Sequence, residues 1–197
     1  MDVYAMYEWL SCYRQWNMGI AQAAVLGLTL ATLAVSSAWA GSDCASLEIQ
    51  LKDSAEFRKI ECDQHDFSSG GIFGTEEMIR ATSPRSLLVV RHLIAGNRTY
   101  LIESSPQKLI ERGFDKSEDW AAAPGGGGFV VMRFRGWLKS QPTHSLACFG
   151  FARFTGHVDH SPGYRHGLSG FYCTDQMDAV SDADTRRLMA SMKFDFE

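Results

Sequence analysis

The sequence predicts an α+β fold: a mainly antiparallel sheet with two or three short helices, one of them near the C-terminus. Three observations carry that expectation. Apolar and aromatic runs of strand length follow one another through the middle and late chain, separated by turn residues. Complete helix start signals occur at only two places. Cys44, Cys62, Cys148 and Cys173 bracket these runs at spacings suited to short disulfide loops.

The elements follow in chain order. Phe57 to Phe67 is a weak strand candidate, and Thr75 to Ala81 fits helix or strand equally. Ser86 to Ile94 (SLLVVRHLI) is rich in Leu and Val, and Ala95-Gly96-Asn97-Arg98 supplies a turn. Thr99 to Glu103 is then expected as its hairpin partner. Ser105 followed by Pro106, with Gly113 after the last periodic residue, marks a short helix by N-cap, first-turn proline and stop. Ala121 to Gly128 reads as a flexible surface loop. Phe129 to Leu138 alternates, with Val130, Met132, Phe134 and Leu138 on one face and Arg133 and Arg135 on the other. His144 to Thr155 is apolar on both faces, as a covered central strand should be. Gly167 to Thr174 forms another strand. Ser181-Asp182-Ala183-Asp184 opens the C-terminal helix, and Lys193 to Phe196 is a short terminal strand.

The N-terminus reads as an export signal over residues 1–40. Ile20 to Val35 is a short apolar run, and Ala38 and Ala40 place small residues before a cut after Ala40. Arg14 stands alone against Asp2 and Glu8, which fits a true start nearer Met18. An uncleaved segment would instead anchor the chain in the inner membrane, but a span needs roughly 20 apolar residues and this run is shorter. Cleavage leaves residues 41–197, one domain with no membrane span. Losing those three charges takes the net charge from −4 to −3, so no basic excess exists to hold nucleic acid.

An oxidising compartment favours disulfides over free thiols, and the sequence-local pairs Cys44–Cys62 and Cys148–Cys173 are expected. The run Cys148-Phe149-Gly150-Phe151, a polar loop, then Gly170-Phe171-Tyr172-Cys173 and a short helix resembles small exported proteobacterial proteins; the likeness implies no catalytic residue.

One polar constellation stands out, between Gly156 and His166. His157, Asp159, His160 and His166 offer the imidazole and carboxylate ligands of a zinc or copper site. Ser169 lies in Gly-Leu-Ser-Gly, which lacks the second spacer of a nucleophile elbow, although a triad with His166 and Asp159 can be drawn on paper. Arg133, Arg135, Arg153 and Arg165 with Tyr164 form a candidate face for an anionic or aromatic ligand. The expected role is therefore a non-catalytic periplasmic or secreted accessory or ligand-binding protein without a resident cofactor. The alternative is a metal-binding protein or metal-dependent hydrolase using the His157–His166 loop.

Overall fold

The computed structural model describes residues 42–52, 56–176 and 178–194. The expected leader and its cleavage site lie outside these residues. Among these described residues, nine strands and two α-helices run in the order β1 (Ile49–Leu51), β2 (Lys59–Ser69), β3 (Ile72–Thr82), β4 (Ser86–Ala95), α1 (Pro106–Ile110), β5 (Phe114–Ala123), β6 (Val130–Leu138), β7 (Leu146–His157), β8 (Tyr164–Thr174), α2 (Asp182–Ser191) and β9 (Met192–Phe194). Seven strands make one antiparallel sheet in the order β2-β3-β4-β8-β7-β6-β5, and β1 pairs with β9 in a separate ribbon. The described residues are thus mostly antiparallel sheet with two short helices, and α+β fits only loosely.

Two meanders build the sheet. In the first, β2 and β3 join through Gly70 and Gly71 alone, with φ of 59° and 81°. Positive φ at both positions is what a two-residue turn matching strand twist requires, and glycine supplies it without strain. The second meander runs from β5 to β8. Its last strand pairs with β4, so β4, β8 and β7 occupy the middle. Their interior segments are buried on both faces, which explains the near-continuous apolar runs.

Leu88, Val90, Phe149, Phe151 and Leu168 point to the front face. There they pack with Leu47 and Ile49 of the N-terminal segment and with Val180, Leu188 and Met192 around α2. Val89, Phe134, Cys148, Phe171 and Cys173 point to the back, under Ile110 of α1. Both helix starts follow the sequence signals: Ser105 Oγ accepts from the Lys108 N–H at 3.4 Å and Ser181 Oγ from the Asp184 N–H at 3.1 Å.

The cysteines pair as Cys44–Cys62 and Cys148–Cys173. The second bridge joins directly opposed residues of β7 and β8, with Cα atoms 4.1 Å apart. The first ties the N-terminal 3-10 turn Ser42–Ser46 to β2. Chain-entropy arguments assign about 3 kcal/mol to loops of this size.

Several expectations change. Thr75 to Ala81 lies within β3. Phe114–Ala123 is an edge strand, so the alanines of the expected loop end β5 and the loop begins after them. Thr99 to Glu103 makes a single bridge, Leu101 to Tyr164, because β8 already occupies the free edge of β4. Val130 is 52 % exposed, and buried Val131 shares the front face with Arg133 and Arg135.

Gly170 sits where β8 meets β4 and β7. A methyl there would lie 2.3 Å from the Val89 carbonyl oxygen and 2.5 Å from the Phe151 ring. Gly170→Ala should therefore lower stability by about 1–3 kcal/mol in urea unfolding, whereas Gly126→Ala, with nothing within 4 Å, should change it little. Equal effects would contradict the register between β4 and β8.

Candidate functional site

Strand register assembles the main polar cluster. Gln64 on β2 stands opposite Glu77 on β3, and Glu77 stands opposite His92 on β4. All three share the front face with Ile79, Ala81, Leu88 and Val90. His166 on β8, opposite Ile94, joins the row diagonally. Glu48 arrives from the segment before β1, between buried Leu47 and Ile49.

Glu77 is the hub. It is 1 % exposed, and its carboxylate accepts from the Glu48 backbone N–H at 3.1 Å to each oxygen and from Gln64 Nε2 at 3.3 Å. His92, fully buried, places Nδ1 3.1 Å from Glu77 Oε2. A carboxylate among donors can only accept, so the His92 Nδ1 position carries the proton. The other nitrogen, Nε2, meets Nδ1 of His166 at 3.1 Å. The two rings lie within 14° of parallel with centroids 5.3 Å apart, and that short nitrogen contact sets them edge to edge.

Burial pushes the His166 imidazole below the ordinary histidine value; His92 and Arg165 reinforce the shift, while Glu48 and Glu77 oppose it. Glu48 completes the group. Its Oε2 is buried, accepts no hydrogen bond and lies 3.9 Å from His92 Nδ1. The rest of that side chain is exposed, so the cluster reaches solvent along Glu48 and half-buried His166. Among the described residues, Glu48, His92 and His166 form the group able to hold a metal ion, with one ligand atom each within 4.8 Å of the others.

Of the four metal ligands expected from the loop, only His166 belongs to this group. β7 runs through His157 and β8 begins at Tyr164, which shortens the loop to residues 158–163. His157 is exposed and sets its ring edge-on to Tyr164 at 5.7 Å. Asp159 and His160 are exposed in a tight turn closed by the Val158 N–H on the Gly163 carbonyl, with His160 at φ 60°. The Ser169 triad does not form, because Ser169 faces the back of β8 and His166 the front, three residues away.

The candidate arginine face is divided. Arg133 is ion-paired to Asp182 at the start of α2, and Arg135 reaches the Asp178 carbonyl at 3.3 Å and Ser145 Oγ at 3.4 Å. Arg153 lies over the Phe129 ring at 5.5 Å. Arg165 instead donates to the Gly96 carbonyl at 3.0 Å, and the Tyr164 hydroxyl lies 3.4 Å from Glu103 Oε2. These side chains fasten α2 and neighbouring loops to the sheet.

Sequence reasoning passed over Glu48, Glu77 and His92. The usable signal was His92 itself, an inward-facing polar residue interrupting the Leu88, Val90 series. Behind the cluster lies a second feature, an apolar cleft of about 210 Å³ between Ile72, Leu93, Leu101, Leu109, Phe154 and Ser169. Leu93 directly follows His92, so cleft and cluster lie back to back through the sheet.

In comparisons with known proteins, no family model, no curated protein and no solved structure matches the chain.

Two outcomes follow from the cluster. Glu77→Leu strips His92 Nδ1 and the Glu48 N–H of their acceptor and should cost roughly 3 kcal/mol or more. His157→Ala should stay within about 0.5 kcal/mol. Similar urea midpoints for the two variants would contradict the hub role of Glu77. Because the folded state disfavours protonated His166, the unfolded chain takes up that proton first. The stability this provides is complete above the ordinary value of 6.5 and is lost as pH falls below it towards the lowered folded value. Urea unfolding of metal-free protein between about pH 8 and pH 5 should show this decline, and His166→Gln should flatten it; parallel profiles would contradict it.

Proposed function

We propose that the chain is an exported, non-catalytic binding protein that works in the periplasm or outside the cell. The observation that carries this reading is the cluster around Glu77. Its buried carboxylate is occupied by donors from three residues, Glu48, Gln64 and His92, so it serves as a structural anchor for the cluster. The cluster's solvent side is formed by the Glu48 side chain, whose Oε2 turns inward without a hydrogen bond, and by the half-buried His166 imidazole, an arrangement suited to a small ligand.

The setting has separate support. Two disulfides suit an oxidising environment. Among the described residues no helix is long and apolar enough to cross a membrane. The export signal rests on the sequence of residues 18–40. A hydrolase built on the His157–His166 loop has less support, since His157, Asp159 and His160 form no ligand group with His166 among the described residues.

Intact mass of the protein from its native cell fraction, measured under denaturing and native conditions, tests both parts. The denatured mass should begin at Gly41 and lack the four hydrogens that two disulfides remove. The native mass should exceed it by a stoichiometric small ligand. A chain retaining residues 1–40 would overturn export as a cleaved protein, and equal native and denatured masses would overturn the binding role.

A further inference from the structure

We propose that Glu48, His92 and His166 bind one divalent transition-metal ion of the zinc class, which names the ligand of the binding role above and rests on it. Four features support the assignment. First, ligands on a tetrahedral ion with bonds of about 2.0–2.1 Å lie about 3.3 Å apart. His92 Nε2 and His166 Nδ1 are already 3.1 Å apart, so their spacing fits one ion once the His166 ring, at the solvent side, gives up its Nδ1 proton and tilts to turn that nitrogen off the line between the two rings.

Second, His92 is oriented from behind. Its Nδ1 is held by Glu77, the carboxylate–histidine arrangement that fixes the tautomer and aims Nε2 as a metal-ligating nitrogen. Glu77 is itself fixed by the Glu48 N–H and Gln64. This positioning shell comes from β2, β3 and the N-terminal segment, and it exists whether or not an ion is bound.

Third, the carboxylate is at hand. Glu48 Oε2 is buried against the cluster without a hydrogen bond, although the rest of the side chain is exposed and can rotate. A cation would give this oxygen the partner it lacks. The Cys44–Cys62 bridge, four residues earlier, restrains the segment that delivers it.

Fourth, the donor set selects the ion. Two imidazoles and one carboxylate suit zinc, copper or nickel, whereas calcium takes six to eight oxygens and magnesium keeps its waters. Three protein ligands leave a fourth position towards the exposed side, open to exchange with solvent or with a ligand from a partner.

The test is zinc titration of chelator-stripped, disulfide-intact protein against a chromophoric zinc indicator. One zinc should bind per chain, with calcium and magnesium failing to compete. His166→Gln and Glu48→Gln should each weaken zinc, His166→Gln by more than the roughly 10–100-fold that loss of an orienting partner causes. Both sit at the solvent side, and far-UV circular dichroism and Tm are measured on each variant to establish that it is folded. Glu77→Gln should weaken binding by about 10–100-fold as a positioning residue. A His157→Ala/His160→Ala double variant should bind like the parent. The proposal is overturned if folded His166→Gln binds zinc unchanged, or if the double variant loses it. It is also overturned if the native mass reports an organic ligand and the stripped protein takes up no zinc; that result leaves the binding role standing.

Discussion

A carboxylate buried in the middle of a sheet must be surrounded by donors, and much of this protein's front face is arranged to meet that demand. Glu77 sits on β3 at 1 % exposure, between strands whose own hydrogen bonds are committed to the ladder. Its partners therefore come from side chains one strand away on either side, Gln64 and His92, and from a backbone N–H descending from above, that of Glu48. The last of these requires the N-terminal segment to cross the face. Leu47 and Ile49 bury themselves on either side of Glu48, β1 pairs with β9, and Cys44 is bonded to Cys62 on the neighbouring edge strand. Four independent contacts thus hold one short segment over one buried charge.

The remainder of the sheet solves a simpler problem. Towards β7 and β6 the front face is aromatic and aliphatic, and α2 covers it. Arg133 and Arg135 lie at the margin of that cover, where the acidic start of α2 and a preceding carbonyl receive them. On the back, α1 lies across the aromatic cluster around Phe134 and Phe171, and the Cys148–Cys173 bridge joins the two central strands beneath it. Polar chemistry is concentrated at the β2–β3–β4 end, and hydrophobic burial carries the other.

What the sequence made legible was local. Caps at Ser105 and Ser181, the apolar runs of β4, β7 and β8, and disulfides between cysteines 18 and 25 residues apart all depend on short-range patterns. The edge strand β5 was missed because its sequence, FDKSEDWAAA, is charged and alternates poorly, as suits an exposed edge interrupted by register shifts. The site was illegible for a different reason. Its hydrogen bonds join residues 15, 29 and 74 positions apart, and only the register of β3, β4 and β8 brings them into one row. Counting histidines picked the loop richest in them. His166 belongs to the site because its side chain faces inward on β8, and His157 does not because β7 ends there in solvent. A histidine placed on the buried face of an apolar strand was the more telling sign.

The central claim is that Glu77 fixes the proton on Nδ1 of His92 and so aims Nε2 at His166. Long-range proton–nitrogen NMR spectra of the imidazole rings in the metal-free protein read this directly. The account predicts one ring with a protonated Nδ1 and an Nε2 engaged with a second histidine, and Glu77→Gln should alter that ring and the His166 ring it meets while leaving the other histidines unchanged. A His92 ring carrying its proton only on Nε2, or exchanging freely between tautomers as an exposed histidine does, would contradict the account.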